Sequence, residues 1–334
     1  MPESTLPQHV AQFLQRNQAP HQSLAVALSG GIDSMVLLDV LVALKGANAL
    51  TLPGSSLSLT AIHINHRISP NAGVWAEFCQ EQCAQRGIPL TVTIVDVDRN
   101  SGAGLEAAAR EARYAALMRS PAACIVSAQH QDDQAETVLH QMLRGTGLNG
   151  LAGMGERRPL RAGQILLRPL LDVSRSEIES YAAQHKLAWI EDESNADTVF
   201  TRNFIRHDLL PLIESRFPHY VESLARTARH AAESAELLEA LARLDLGWNG
   251  SETRADGLDN LPLSRQVNAL YHWLRWQKVL PPSQLQLNDW AAQLFRAPPA
   301  GKAHQAGGHD FVIRRRQNAL HLLRRGEDGG PGAD

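Results

Sequence analysis

The stretch Leu24–Leu41, LAVALSGGIDSMVLLDVL, decides the fold. Five apolar residues, Leu24–Leu28, lead into Ser29-Gly30-Gly31-Ile32-Asp33-Ser34, and an apolar-rich segment follows. A glycine loop between a strand and a helix is an anion site, because free backbone N–H groups and the positive helix end point at the bound charge. This loop lacks the lysine of a G-x-x-x-x-G-K-[ST] loop and the spacing of G-x-G-x-x-G. Gly30 and Gly31 permit close backbone approach, and Ser29 and Ser34 add hydroxyls. Asp33 is the odd member. A carboxylate beside phosphate is repelled unless a Mg²⁺ bridges the two. A helix cap would account for Asp33 alone, but not for the adjacent glycines and two serines.

Outward from this loop the first half alternates strand and helix signals. Strands are expected at 24–28, 57–64, 90–95, 124–128 and, more weakly, 164–168. Helices are expected at 32–44, 74–86, 105–118, 133–143 and 175–185, the last started by a Ser174/Glu177 capping box. This pattern predicts an α/β fold with a doubly wound parallel five-stranded sheet. From Asn203 to about Phe295 the pattern is helical, punctuated by prolines, and the end reads as a β-hairpin around Gln317-Asn318. The expected organisation is an α/β domain over 1–217, a smaller helical domain over 218–325 and a disordered tail over 326–334.

Composition sets outer limits. The 334 residues suffice for two cores. The formal net charge is -3, so the whole chain does not advertise nucleic-acid binding. Of the 32 basic residues four are lysines, and the arginines suit bidentate phosphate contacts. No basic-then-apolar leader opens the chain and no run of 18 apolar residues occurs, so a cytoplasmic protein without membrane contact is expected. Cys79, Cys83 and Cys124 contain no C-x-x-C and read as packing residues of a reduced protein.

Unusual residues gather at the carboxyl ends of the expected strands, where open parallel sheets bind ligands. The second strand delivers His63, Asn65 and His66, the third Asp96 and Asp98, the fourth AQHQDDQAET. Asp133 and Glu136 fit a capping box, yet three carboxylates with Asp132, beside His130, exceed what one cap needs. They suggest a Mg²⁺ site or an amine site. Glu106, Arg110 and Arg113 recur at helical spacing, either as a salt-bridged face or with an arginine reaching the crevice. In the terminal hairpin, Arg314, Arg315 and Arg316 put like charge on adjacent strands and call for an anion nearby.

These motifs together resemble one family. SGGIDS resembles the PP-loop of ATP pyrophosphatases. AQHQDDQAETVLHQMLRGTGLNGLAGM, then RPLL at 168–171 and WIEDESNADTVFTRNFIRHDLLPLIE at 189–214, resemble the tRNA(Ile)-lysidine synthetases. Asn65 departs from that pattern, since many members place a histidine there. The resemblance implies a PP-loop, Rossmann-like fold and an ATP-dependent ligase. ATP would activate C2 of the wobble cytidine in the CAU-anticodon tRNA(Ile), and free L-lysine would displace AMP. By this resemblance Ser29, Gly30, Gly31, Ile32, Asp33, Ser34, Ile62 and His63 hold ATP, and Asp33 with Asp132 holds Mg²⁺. Asp33, Asp133, Glu136 and Arg113 carry the chemistry. His130, Asp132, Asn195, Arg202, Asn203 and Arg206 meet the substrates, and Arg314–Arg316 grip the tRNA. A homodimer stays open. The competing readings are a PP-loop tRNA thiolase, which needs a reactive cysteine or a cysteine-held cluster, and a non-catalytic nucleotide- or RNA-binding module.

Overall fold

The computed structural model describes residues 5–17, 23–47, 58–98, 104–193, 198, 201–250, 253–255, 257–296, 305–308, 310–316 and 319–324. The 326–334 tail lies outside them. The chain divides into two compact units, 1–232 and 233–334.

In the first unit, α1 (Leu6–Arg16) precedes β1 (Ser23–Ala27), α2 (Ile32–Gly46), β2 (Ser58–Asn65), α3 (Ala72–Gln85), β3 (Leu90–Ile94), α4 (Leu105–Met118), β4 (Cys124–Val126) and α5 (Gln131–Leu143). Then come α6 (Leu148–Leu151), β5 (Arg157–Arg161), β6 (Gln164–Leu167) and α7 (Arg175–Gln184). The sheet order is β3-β2-β1-β4-β6-β5. All pairings are parallel except β5 with β6.

The expected parallel sheet is therefore present, with a sixth strand that periodicity does not reveal. Arg157–Arg161 reads RRPLR, which has neither alternation nor β-branched residues. As an edge strand it can hold Pro159, whose missing N–H would break a central ladder. The Ser174 cap of α7 accepts from the Glu177 N–H, as its sequence predicts.

Apolar runs set the layers. α2 buries Met35, Val36, Leu37, Leu38, Val40 and Leu41 against α1, α7 and one face of the sheet. Tyr114 and Leu117 of α4 cover the other face with Ile125 and Leu166. Strand order reverses direction at β1, whose neighbours are β2 and β4. The crevice at this switch point lies beyond the carboxyl ends of β1 and β4.

After α7 follow α8 (Thr201–Phe204), a π-helical turn (Ile205–Leu209), α9 (Leu210–Glu214) and α10 (Tyr220–Asp245). Tyr220 and Leu224, early in α10, pack with Leu139, Ile205 and Leu210. The first turns of α10 thus belong to the first unit, although composition breaks earlier, at Phe217-Pro218. The second unit packs α11 (Leu263–Trp276) and α12 (Gln284–Phe295) with β7 (Gln305–Gly307), β8 (Phe311–Arg316) and β9 (Ala319–Arg324). Its sheet is antiparallel, in the order β7-β8-β9. The expected hairpin gains β7 as a third strand.

Candidate active site

The loop after β1 is shaped from inside. The Ser34 hydroxyl accepts from the N–H groups of Ser29 and Gly30, each at 3.2 Å, and donates to the Gly31 carbonyl at 2.9 Å. Ser34 is buried, so it builds the loop rather than standing free as a donor. Gly30 takes φ +92°, a left-handed conformation that a side chain resists. A Cβ there would also meet Ile190 Cδ1 at 2.9 Å and Cys79 Sγ at 3.2 Å. Gly31 caps α2, whose first N–H groups have no partner within the helix.

Beside the loop, His63 is buried with Nδ1 2.9 Å from the Leu28 carbonyl. Burial holds its pKa below the ordinary histidine range, so it is neutral. Ile62 is also buried, and its carbonyl accepts from the Leu28 N–H at 2.8 Å.

The loop after β4 brings in the acids around His130, which is 2% exposed. His130 Nε2 lies 3.7 Å from Asp33 Oδ1 and 3.6 Å from Asp133 Oδ2, and Nδ1 lies 3.5 Å from Asp132 Oδ2. Burial opposes its charged form, but these three carboxylates outweigh burial and raise its pKa. Asp133 Oδ2 accepts from the His130 N–H at 3.1 Å, so it does cap α5. Asp132 Oδ2 accepts from the Arg175 N–H at the start of α7, also at 3.1 Å. Asp132 and Asp133 remain below the usual carboxylate range despite burial.

Asp33 behaves differently. Burial pushes its pKa up, and its buried Oδ1 has no hydrogen-bond partner.

Arg202 and Arg206 each reach both Asp133 and Glu136. Arg202 Nε and Nη2 donate to Glu136 Oε2 and Asp133 Oδ1, both at 2.9 Å. Arg206 Nη2 donates to Asp133 Oδ1 at 3.1 Å and Glu136 Oε2 at 3.0 Å. Glu136 is 2% exposed and held between two guanidiniums. Four carboxylates, Asp33, Asp132, Asp133 and Glu136, thus face two guanidiniums and one imidazole. Carboxylates this close favour a cation, and Arg202, Arg206, Arg175 and Arg113 offset part of their charge.

No group of three or more metal-ligating side chains converges among the described residues. Asp33 and Asp132 approach different nitrogens of His130, so it is Asp133 that shares a side with Asp33. The Asp33 oxygen, without a hydrogen-bond partner, suits a Mg²⁺ that arrives with phosphates, an ion commonly held by one or two carboxylates plus its substrate.

Of the other expected site residues, Arg113 lies on α4 in the field of Arg202 and Asp133. Asn203 sits half-buried beside Arg202, and Asn195 lies outside the described residues. Asp96 and Asp98 are exposed after β3. In β8, Arg315 bonds Asp259 and the Leu294 carbonyl, so it braces the second unit. Strand alternation turns Arg314 and Arg316 the other way. Ile190 is the contributor that motif reasoning misses. Its N–H donates to the Gly30 carbonyl at 2.9 Å, closing the loop from 160 residues downstream. An apolar residue between aromatic and acidic neighbours carries no signal of that role.

Residues 2–213 match the PP-loop domain model, and 254–321 match the TilS substrate binding domain. A tRNA(Ile)-lysidine synthase of Azoarcus sp. (strain BH72) is 45% identical over 84% of this chain and 61% of its own length. Another, from Alkalilimnicola ehrlichii, is 42% identical over 98% of this chain and 71% of its own length. The chain belongs to the tRNA(Ile)-lysidine synthase family. It spans about three-fifths to seven-tenths of the length of these lysidine synthases. Among solved structures, a U34-tRNA thiolase from Methanococcus maripaludis with its [4Fe-4S] cluster superposes with a TM-score of 0.54 at 18% identity. That likeness covers 68% of this chain and 78% of the thiolase, and it concerns the fold.

Proposed function

We propose that this chain is an ATP-dependent ligase that joins free lysine to C2 of the wobble cytidine in the CAU-anticodon tRNA(Ile), giving lysidine. One observation carries the reading. His130 joins the anion loop to the acid cluster: its Nε2 meets Asp33 and Asp133 on one side, and its Nδ1 meets Asp132 on the other. An anion loop and a carboxylate cluster that share one imidazole suit a reaction between an activated nucleotide and an amine.

In this reading the cytidine C2 oxygen attacks the α-phosphate of ATP, and pyrophosphate leaves toward the Ser29–Ser34 loop. The lysine amine then bonds to C2, and AMP departs with the former C2 oxygen. The amine sheds its protons to the carboxylate–imidazole cluster. Asp33 is the residue that would hold Mg²⁺, which supplies charge neutralisation for the leaving pyrophosphate. Arg202 and Arg206 favour the charged form of Asp133 and hold both Asp133 and Glu136 in place, so the carboxylates are positioned before lysine arrives. Catalysis is then positioning and electrostatics. A single-stranded anticodon loop can splay its base into the crevice. The second unit would contact the tRNA body. The reaction would run in the cytoplasm, and among the described residues no helix is long and apolar enough to cross a membrane.

The thiolase reading has less support. Cys79, Cys83 and Cys124 are buried, and burial pushes their thiols up to about 12, 11 and 12. Such thiols are poor nucleophiles at neutral pH. A non-catalytic module would not need a buried Asp33 oxygen without a hydrogen-bond partner.

The test is incubation with that tRNA, ATP, Mg²⁺ and radiolabelled lysine. Label in RNA, with AMP and pyrophosphate released, is expected. ADP with phosphate, or no labelled RNA, overturns the proposal.

A further inference from the structure

The face of the first unit around Tyr114 carries charge that nearby side chains do not neutralise. The Arg158 guanidinium, on edge strand β5, lies 4.2 Å from the Tyr114 ring centre. The Arg110 guanidinium, one turn back on α4, lies 5.3 Å from the same ring, with Nη2 3.5 Å from the phenol oxygen. Behind them Arg168 is 2% exposed. It donates to the Tyr114 oxygen at 3.3 Å and to the Gly155 carbonyl at 2.6 Å, and its buried Nε has no partner.

Burial would raise the Tyr114 phenol, yet the three arginines outweigh it and lower its pKa. Among the described residues no carboxylate lies within ion-pair distance of Arg110, Arg158 or Arg168. The nearby Glu156 is already bonded to Arg16. The helical spacing of Glu106 and Arg110 does not produce an ion pair. Like charges gathered without counter-charge repel one another, and a polyanion relieves that repulsion. Arg110 and Arg158 are exposed and able to give it bidentate contacts, whereas Arg168 is locked in place by its bonds.

We infer that Arg110 and Arg158, set by Tyr114 and Arg168, dock the backbone phosphates of the RNA arm that presents the target base. This rests on the tRNA-ligase reading. A free anion or an acidic protein would use the same charge, but a reaction on an anticodon base brings several phosphates to the catalytic unit. These two arginines are additional to Arg314 and Arg316, the contacts expected of the second unit.

The experiment compares the full chain with the Arg110→Gln/Arg158→Gln double variant and with Arg110→Lys/Arg158→Lys, using a CAU anticodon stem–loop RNA across a salt series. The glutamine variant is expected to bind about tenfold more weakly near 0.1 M salt, with a log K–log salt slope shallower by roughly 1.5. The lysine variant should keep the slope. ATP affinity, measured beside it, should be unchanged in both. An unchanged slope and affinity in the glutamine variant overturn the inference while leaving lysine transfer standing. RNA binding with the expected slope change, but without lysine transfer by the parent chain, overturns the ligase reading instead. Absence of RNA binding by the parent chain overturns both.

Discussion

Ile190 holds Gly30 by a backbone hydrogen bond of 2.9 Å and also fills the space where a Gly30 side chain would go. One residue therefore fixes the anion loop and enforces its glycine. Gly30→Ala adds a Cβ 2.9 Å from Ile190 Cδ1 and strains φ +92°. The expected loss is about 1–3 kcal/mol in stability, with nucleotide affinity falling too. Thermal unfolding and nucleotide titration check it. Adding Ile190→Ala removes the clash and leaves the φ strain, so recovery should be partial at most.

Asp33→Asn removes a charge whose buried oxygen has no hydrogen-bond partner and only a 3.7 Å contact with His130. Adenylation should fall by about two or more orders of magnitude, read as AMP and pyrophosphate release. Stability should move the other way. The folded Asp33 pKa lies above its ordinary value because of burial, so ionisation costs stability as pH rises through that pKa. The variant should therefore match or exceed the parent in melting temperature at neutral pH. The difference should vanish below the unfolded carboxylate range.

His130 carries the opposite sign of linkage. Its raised pKa contributes stability that is fully present below the ordinary histidine value and is lost as pH rises through the folded pKa. His130→Gln should cost most at about pH 5.5 and least above the folded pKa. Melting curves across that range decide it. A pH-independent penalty would mean that packing, not charge, is what His130 supplies.

Glu136→Ala leaves Arg202 and Arg206 sharing Asp133 alone. Removing one partner of a buried ion network costs about 3–5 kcal/mol, read from a urea midpoint. Glu136→Gln should retain more stability but raise the KM for lysine, with ATP affinity near normal. Equal effects on both substrates would place Glu136 outside the amine site.

Arg315 and its neighbours should separate by readout. Arg315→Ala breaks the Asp259 pair and should lower stability, with little change in RNA salt dependence. Arg314→Ala/Arg316→Ala should do the reverse, flattening the slope by roughly 1.5. Melting and salt-dependent RNA binding on the same preparations distinguish them.

Much of the site was legible because its chemistry is local. SGGIDS announces its own turn, and HQDDQAE packs the cap and first turns of α5 with its acids into seven residues. What stayed hidden depends on distant packing. β5 is arginine-rich and contains Pro159, so its edge position has no periodic signature. Ile190 acts through its backbone and bulk. That Arg315 turns inward while Arg314 and Arg316 turn outward is a matter of strand phase, which charge counting ignores. The pairing of Arg202 and Arg206 with the acids needed the whole turn of chain between them and α5.

The π-helical turn at Ile205–Leu209 gives that segment a counting constraint. Such a turn holds one residue more than the α-helical repeat. Arg202 before the turn and Arg206 within it address the acids, while Ile205 within the turn and Leu210 and Ile213 beyond it address the Leu139 cluster. The two sets interleave along one short segment, so neither can be moved alone. Deleting one residue from α8 after Arg202 would turn its guanidinium by about 100° relative to Arg206. Composition and hydrophobicity would hardly change, yet the acids would lose one of their two guanidiniums. A gap of one residue there would be costlier than most substitutions.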